Sequence, residues 1–349
     1  MGIEGLKPYL KTHSKDAFQT VPLSNLGGYA IAIDGNGWMY KAKSFALKVY
    51  LQSVFVDVTA PIPQELIIKY IINNFYGFIG KLTSHNITPV WIFDGPAAHP
   101  AKEAAARLRR KVHKEDRKVK IEEERLAIME MSALERTPDI INKFKNLLIG
   151  HVTVNQSEID AVMNEANELG LPLFEAPYDA EILASALSVE NKVIGVWAKD
   201  TDCIAAGARV VFDGFSKELS EDGVIVDAII PYIVYEDLEM TLDQFRDFCI
   251  ACQCDFNVRI KGLGPAKMRK LLLKYANDLD LLMESEPKHD WSLLNVEISR
   301  ELLTGPNETC INIEDLAIDR KKWTLKMETN DVSFVPLPET DPIMVEIME

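Results

Sequence analysis

Seven carboxylates stand out as candidates for chemistry: Asp34, Asp94, Asp179, Glu181, Asp200, Asp202 and Asp255, drawn from five separated stretches. Two carboxylates about 4 Å apart repel by about 4 kcal/mol at an effective dielectric near 20. A cluster of seven therefore binds protons or cations. Hard divalent ions with oxygen ligands suit it, and magnesium takes a few carboxylates plus water and phosphate oxygens. Two such ions clamp the attacking and leaving oxygens of a phosphodiester. Taken one at a time, each Asp reads equally as a helix cap or turn former.

The elements that carry these acids follow a pattern. Tyr29-Ala-Ile-Ala-Ile-Asp34 and Pro89-Val-Trp-Ile-Phe-Asp94 are apolar runs that end in Asp and then Gly. Lys192-Val-Ile-Gly-Val-Trp-Ala198 is a third such run, followed by Asp200 and Asp202. If the chain stays extended there, both acids point the same way. Asp179 and Glu181 follow Pro177, which suits a helix start. A helical stretch from about residue 63 to 83 lies between the first two strands. Strands alternating with helices predict a parallel α/β sheet with helices on both faces. Ligands in such sheets bind beyond the carboxyl ends of the strands.

Net charge is −15, which alone argues against a nucleic-acid partner, but the charge is segregated. Residues 102–120 carry nine bases, among them Lys102, Arg107, Arg109, Arg110 and Lys111, against three acids. No Gly or Pro interrupts 101–136, so a continuous helix there would run about 54 Å. It lacks a wide apolar stripe, so it bridges solvent or is ordered by what it binds. Residues 258–274 carry Arg259, Lys261, Lys267, Arg269, Lys270 and Lys274 with no acid. Each island is +6, so the rest of the −15 chain carries −27.

The second island contains Ile260-Lys-Gly262-Leu-Gly264-Pro265-Ala-Lys267, between a helix at about 242–252 and another from Met268 to Tyr275. Helix, Gly-x-Gly turn, helix admits a close phosphate and offers free amides. Such a hairpin holds duplex backbone without reading sequence. The plainer alternative is a helix–helix turn with solvated lysines.

With 47% hydrophobic and 26% charged residues over 349 positions, the chain is no collagen, disordered tail or disulfide miniprotein. Length alone suggests about two domains. Five cysteines, Cys203, Cys249, Cys252, Cys254 and Cys310, suggest free thiols. The Cys249-x-x-Cys252-x-Cys254 cluster lacks a fourth zinc ligand and reads as small buried residues. The first 20 residues show no signal peptide, and the apolar segment 66–80 contains Lys69, Asn73 and Asn74. An intracellular protein, neither secreted nor membrane-spanning, is expected.

A set of segments in order, starting from Met1, resembles the flap endonuclease/XPG-type structure-specific 5′ nucleases. They are Met1-Gly-Ile-x-Gly-Leu6, Ala32-Ile-Asp34, Val90-Trp-Ile-Phe-Asp94-Gly, Ala176-Pro-Tyr-Asp-Ala-Glu181-Ile, Lys199-Asp-Thr-Asp202-Cys and Cys254-Asp255, followed by the Gly262 hairpin. The resemblance runs to about Tyr275. It implies a PIN-like parallel sheet with a helical arch and a C-terminal helix-hairpin-helix module. The implied boundaries are 1–96 and 151–239 for the two nuclease halves, 97–150 for the arch, 240–310 for the hairpin region and 311–349 for a tail. The seven acids fall on the family's positions for two Mg²⁺ ions, with Mn²⁺ as substitute. Asp34, Asp94 and Glu181 rank with the catalytic residues. Lys102 and Arg109 match the arch bases that stabilise the phosphate. Tyr40 matches a base-stacking tyrosine, and Gly2 lies near the scissile site once Met1 is removed. Arg107, Arg110, Lys111, Lys261, Gly262, Gly264, Lys267, Arg269 and Lys270 are the expected nucleic-acid contacts, and K⁺ would sit at the hairpin.

The chain departs from the family pattern in places. Asp179 stands where the family usually has Glu. Gly35-Asn36-Gly37-Trp38 replaces small residues, and Trp38 has no account from sequence. No Gln-x-x-apolar-x-x-Phe-Phe sequence or basic tail appears near the C-terminus, so sliding-clamp docking is not expected. A trimmed copy of this kind would suit a large DNA virus, acting in a nucleus or viral replication compartment. The resulting expectation is a monomeric Mg²⁺-dependent 5′ nuclease on branched or 5′-ended DNA, as endonuclease, exonuclease or both. Rival readings are a catalytically silent DNA-binding scaffold and a 5′→3′ ribonuclease. A phosphatase using Asp34 fits poorly, because position 36 is Asn.

Overall fold

The computed structural model describes residues 2–52, 57–112, 117–132, 134–217, 223–306 and 308–328. The chain forms two compact units. The first joins Met1–Gly37, Lys81–His113 and Leu171–Asp319, and holds the strands found among the described residues. These are β1 (Phe18–Pro22), β2 (Ala30–Asp34), β3 (Thr88–Phe93), β4 (Leu173–Glu175), β5 (Val196–Trp197), β6 (Val211–Phe215) and β7 (Ile225–Ile229). They make a PIN-like sheet of order β1-β7-β6-β5-β2-β3-β4.

The strands from β6 to β4 run parallel, as the alternation predicts. The sheet is nevertheless mixed, because β7 pairs antiparallel with both β6 and β1. The connection from β6 to β7 is too short for a helical crossover, so the chain returns as a hairpin. In the centre, Ile31, Ala32, Ile33, Val90, Trp91 and Ile92 are wholly buried. Both faces are covered, so these strands read as unbroken apolar runs instead of alternating ones. The helix Ala180–Val189 covers part of the sheet with Ala180, Ala184 and Leu187, all fully buried.

Two helices bracket the glycine turn of the second basic island. Leu242–Cys252 is the helix the sequence predicts. Pro265–Lys274 begins three residues earlier than expected, because Pro265 sits at the first helical position, where its missing N–H costs nothing. Cys249, Cys252 and Cys254 are buried. Burial pushes all three thiols up, Cys254 to about 12, which disfavours the thiolate form.

The second unit joins Trp38–Gly80, Lys114–Gly170 and Arg320–Glu349, and its described elements are helices. Leu51, Val58, Ile128, Phe144 and Leu148 form one of its cores. Trp38 packs against Phe75 and Phe78, with ring centroids 6.1 and 5.8 Å away, which accounts for the indole. The helix Gln156–Glu168 opens with a reciprocal cap between Asn155 and Glu158. The buried Glu158 also pairs with Lys43 at 2.6 Å.

The long helix expected over 101–136 is two described helices, Pro100–Val112 and Arg117–Glu130, with 113–116 outside the described residues. The second stops well before Arg136. Ser132 donates its backbone N–H and hydroxyl to Glu135 at 2.8 and 2.7 Å, which starts a turn. Arg136 then folds back onto the Met129 and Met131 carbonyls at 3.1 and 3.2 Å, filling acceptors the helix end leaves open.

Candidate metal centre and nucleic-acid interface

The sheet order explains how distant acids meet. β5, β2, β3 and β4 are consecutive neighbours and parallel. Asp200 and Asp202 follow β5, Asp34 ends β2, Asp94 follows β3, and Asp179 and Glu181 follow β4. All six therefore sit at one carboxyl edge, across the point where the strand order reverses between β2 and β5. Asp255 joins them from the loop after the helix Leu242–Cys252. One carboxylate oxygen each from Glu181, Asp202 and Asp255 lie within 4.8 Å of one another. The remaining acids are electrostatically linked to these: Asp34 to Asp94 and Asp200, Glu181 to Asp34 and Asp200, and Asp94 to Asp179 and Asp255.

Capping fixes the geometry. The Asp34 carboxylate accepts from the Gly37 N–H at 2.9 Å, inside the first turn of the helix Gly35–Gln52. Asp94 accepts from the Ala180 N–H at 2.8 Å and so caps the next chain segment's helix. Asp179 is at the cap position of that helix yet makes no capping bond, and its carboxylate faces Lys102 instead. The Asp200–Asp202 segment does not stay extended. Thr201 turns helical, Asp202 opens the short helix Asp202–Ala205, and Asp200 accepts from the Asp202 N–H at 3.1 Å.

Three further residues hold this edge together, and sequence reading gave them no role. The Asn36 side chain accepts from the Asp94 N–H at 3.0 Å, tying the ends of β2 and β3. Asn257, fully buried, accepts from the Cys254 N–H at 3.0 Å and donates to the Ile250 carbonyl at 2.8 Å, bracing the loop of Asp255. Gly95 donates to the Tyr178 carbonyl at 2.8 Å, and a Cβ there would collide with the Ala176 carbonyl and sit 2.7 Å from that of Pro177. Only glycine lets the strands bearing Asp94 and Asp179 pass so closely. The signal was present as the Asp94-Gly95 pair, but its cause is Ala176, 81 residues further along the chain.

Burial lifts Asp34 to about 6, with the charges of Asp94 and Asp200 adding to the effect. Burial likewise pushes Asp94, Glu181 and Asp202 above the usual carboxylate range. Asp202 Oδ1 is buried with no hydrogen-bond partner among the described residues. An orphaned carboxylate oxygen in an all-oxygen donor set suits a hard divalent cation. The residues present therefore fit divalent ions.

Lys102 is a counter-cation to this cluster. Its ammonium pairs with Asp179 and, at 3.2 Å, with Asp255. Burial works against this charge, but Glu181, Asp255 and Asp179 hold its pKa above the ordinary lysine value. Arg109 donates to the Asp255 carbonyl at 3.0 Å, with its other nitrogen 3.7 Å from the carboxylate. Both bases come from the helix Pro100–Val112.

Gly2 lies against Asp200. A Cβ on it would overlap the Asp200 carboxylate and fall 2.8 Å from Thr201 Oγ1, and the Ile3 N–H donates to that hydroxyl at 3.0 Å. Met1 is outside the described residues. Tyr40 is half-exposed on the helix Gly35–Gln52, in the second unit. Arg107 is exposed and pairs with Glu103 at 3.2 Å. The side chains of Arg110 and Lys111 are outside those described. Lys261, Lys267 and Lys270 are exposed, Gly262 has φ +84°, and open space surrounds both Gly262 and Gly264. Arg269 differs from the expectation. It is buried, donates to Asn277 at 2.6 Å and to the Leu238 carbonyl, and so braces the fold instead of facing a ligand.

Comparison with known proteins gives a consistent pattern. The XPG N-terminal domain matches residues 1–116 and the XPG I-region matches residues 170–255. Flap endonuclease 1 of Cryptosporidium muris is 28% identical over 336 residues, covering 93% of this chain and 66% of that protein. Flap endonuclease 1 of Zea mays is 26% identical over 345 residues, covering 96% and 82%. Among solved structures, the catalytic core of Rad2 in complex with DNA substrate aligns with TM-score 0.56 at 16% identity, covering 97% of this chain and 84% of that one. The Holliday junction-resolving enzyme GEN1 with product DNA and Mg²⁺ aligns with TM-score 0.54 at 14% identity, covering 90% and 67%.

Proposed function

The chain belongs to the flap endonuclease/XPG family, and on that footing we propose that it is a Mg²⁺-dependent structure-specific 5′ nuclease acting on branched or 5′-ended DNA. The observation that carries this reading is the delivery of acids by four neighbouring parallel strands to one edge, where the buried Asp202 oxygen lacks a partner. A pure DNA-binding scaffold gains nothing from such a repulsive cluster.

Glu181, Asp202 and Asp255 would hold one ion, and Asp34, Asp94, Asp179 and Asp200 would complete a two-ion set. When bound, the ions supply Lewis-acid stabilisation of the charge that develops on the attacked phosphate. The chain's own residues do the rest. Lys102 and Arg109 lie beside the acids, where they would be within reach of a phosphate brought to the carboxylates. Their charges would stabilise the negative charge that develops on it. Gly2 keeps the wall at Asp200 free of a side chain, so backbone can approach. The Gly262–Lys267 turn holds the duplex beyond the cut through backbone amides and Lys267, and K⁺ would bind there. Mn²⁺ would replace Mg²⁺ at the carboxylates.

A labelled 5′-flap duplex tests the reading. It should be cut with Mg²⁺ and left intact with EDTA. Asp202→Asn should lower turnover by at least about 10²–10³-fold with duplex affinity kept or raised. Turnover retained in that variant overturns the metal assignment. Tight binding without cutting would favour the scaffold, and faster cutting of a matched RNA flap would favour the ribonuclease.

A further inference from the structure

A second cavity adjoins the acid edge and has a different character. It measures about 250 Å³ and is lined chiefly by Tyr178, Ile182, Leu183, Phe256 and Leu302. Its two carboxylates are Asp179 and Glu301, and no basic side chain lines it. Its walls come from the first turns of the helix Ala180–Val189 and from the end of the helix Val296–Thr304. Gly305 closes one side: it has φ +67°, and a Cβ there would come within 2.9 Å of Ile182 Cγ2. Tyr178 is 44% exposed, although it is a large aromatic residue next to Asp179. Its ring is held edge-on by His99, with centroids 4.9 Å apart and planes at 88°. Its backbone carbonyl is fixed by the Gly95 N–H.

The occupant follows from size, surface and charge. The volume is below the range for drug-sized ligands, so it admits one ring system. The surface is apolar and aromatic, which suits a stacked face. Asp179 is already paired with Lys102, so Glu301 is the carboxylate that repels phosphate and accepts from amino groups. Asp179 belongs to both this cavity and the acid edge, so the ring must be attached to the chain whose phosphate is handled there. We propose that the cavity binds one unpaired nucleobase of the substrate strand, stacked on Tyr178, with its exocyclic amino edge toward Glu301. The proposal rests on the nuclease reading for its substrate and adds a base-binding subsite to it. An amino-bearing base (adenine, cytosine or guanine) is preferred there over thymine.

The test walks a single abasic residue through the unpaired nucleotides nearest the cut of a 5′-flap duplex. Affinity is measured with Ca²⁺, and cleavage separately with Mg²⁺. In the unaltered protein one abasic position should weaken binding about tenfold, and thymine there should bind less well than adenine. Tyr178→Ala should weaken the intact flap about tenfold and become indifferent to that abasic position. Tyr178→Phe should behave as the unaltered protein does. Leu302→Phe, which fills the cavity, should reproduce the Tyr178→Ala result, so a folding defect in one variant does not decide the matter. Indifference to abasic residues at every position overturns the proposal, as does a Tyr178→Ala variant that keeps the positional loss. Cutting without base dependence removes the subsite and leaves the nuclease reading. Base-dependent binding without cutting does the reverse.

Discussion

Arg269 and Lys267 lie two residues apart in one basic island and do opposite things. Arg269 is buried against Asn277 and the Leu238 carbonyl, whereas Lys267 is exposed at the glycine turn. Arg269→Ala should cost about 2–3 kcal/mol of stability, because it orphans a buried carbonyl, and leave the salt dependence of DNA binding unchanged. Lys267→Ala should leave the melting temperature in place and reduce the salt slope by about one. Thermal melts beside salt titrations of binding separate the two, and a shared phenotype would mean Arg269 faces DNA after all. The acids give a pH prediction. Burial raises Asp34 from 3.8 to about 6 in the folded chain. The metal-free fold then binds more protons than the unfolded chain between those values, so its stability falls as pH rises through that window. Divalent ions reverse the penalty by displacing those protons. The rise in melting temperature with Mg²⁺ should therefore be larger at about pH 7 than at about pH 5. An equal rise at both pH values would detach the ions from these carboxylates.

The helix Pro100–Val112 is the element on which catalysis by cations depends. Lys102 and Arg109 are seven positions apart, two turns, so they share one face. That face meets Asp179 and Asp255. Lys102→Ala and Arg109→Ala should each lower kcat by about 10²-fold with little change in KM, and the double variant should lose less than the product. Single-turnover rates measure this. Independent, fully multiplicative losses would mean the two bases act on different groups. Three of the strands bearing the acids were legible as apolar runs followed by Asp, but β4, a three-residue strand only partly buried, was not. The antiparallel edge was not legible: Val224-Ile225-Val226 also precedes an Asp, so such a run does not tell strand direction, and β1 shows none. The stop at Glu130 was missed for a similar reason. It is set by Ser132 with Glu135 and by Arg136, all helix-compatible residues whose side chains happen to close the turn. Seven acids were readable as a set, while Asn36, Asn257 and Gly95 were not. Their importance lies in neighbours distant in sequence, which no spacing reveals.

Over the whole molecule, net charge is −15 although the hairpin island holds six bases and no acid. Not all of those bases are available to a ligand. Arg269 is internal, and Arg259 pairs with Glu4 at 3.3 Å. Lys261, Lys267, Lys270 and Lys274 remain exposed. Four phosphate contacts give a slope of about −4 in log affinity against log salt, or about 10²-fold lost between 50 and 200 mM. Outside this island and the basic 102–120 stretch the surface is acidic and repels duplex, so plain duplex without a 5′ end should bind weakly at physiological salt. Structure specificity then arises from requiring two things at once: lysines on one stretch of backbone, and a free strand at the acid edge. Titrating salt against a flap and a blunt duplex of equal length tests this. The two slopes should be similar, since the lysine contacts are shared, while the flap keeps a constant affinity advantage that disappears when the divalent ion is removed. A flap advantage that shrinks with salt would place the discrimination in the basic surface instead of the acid edge.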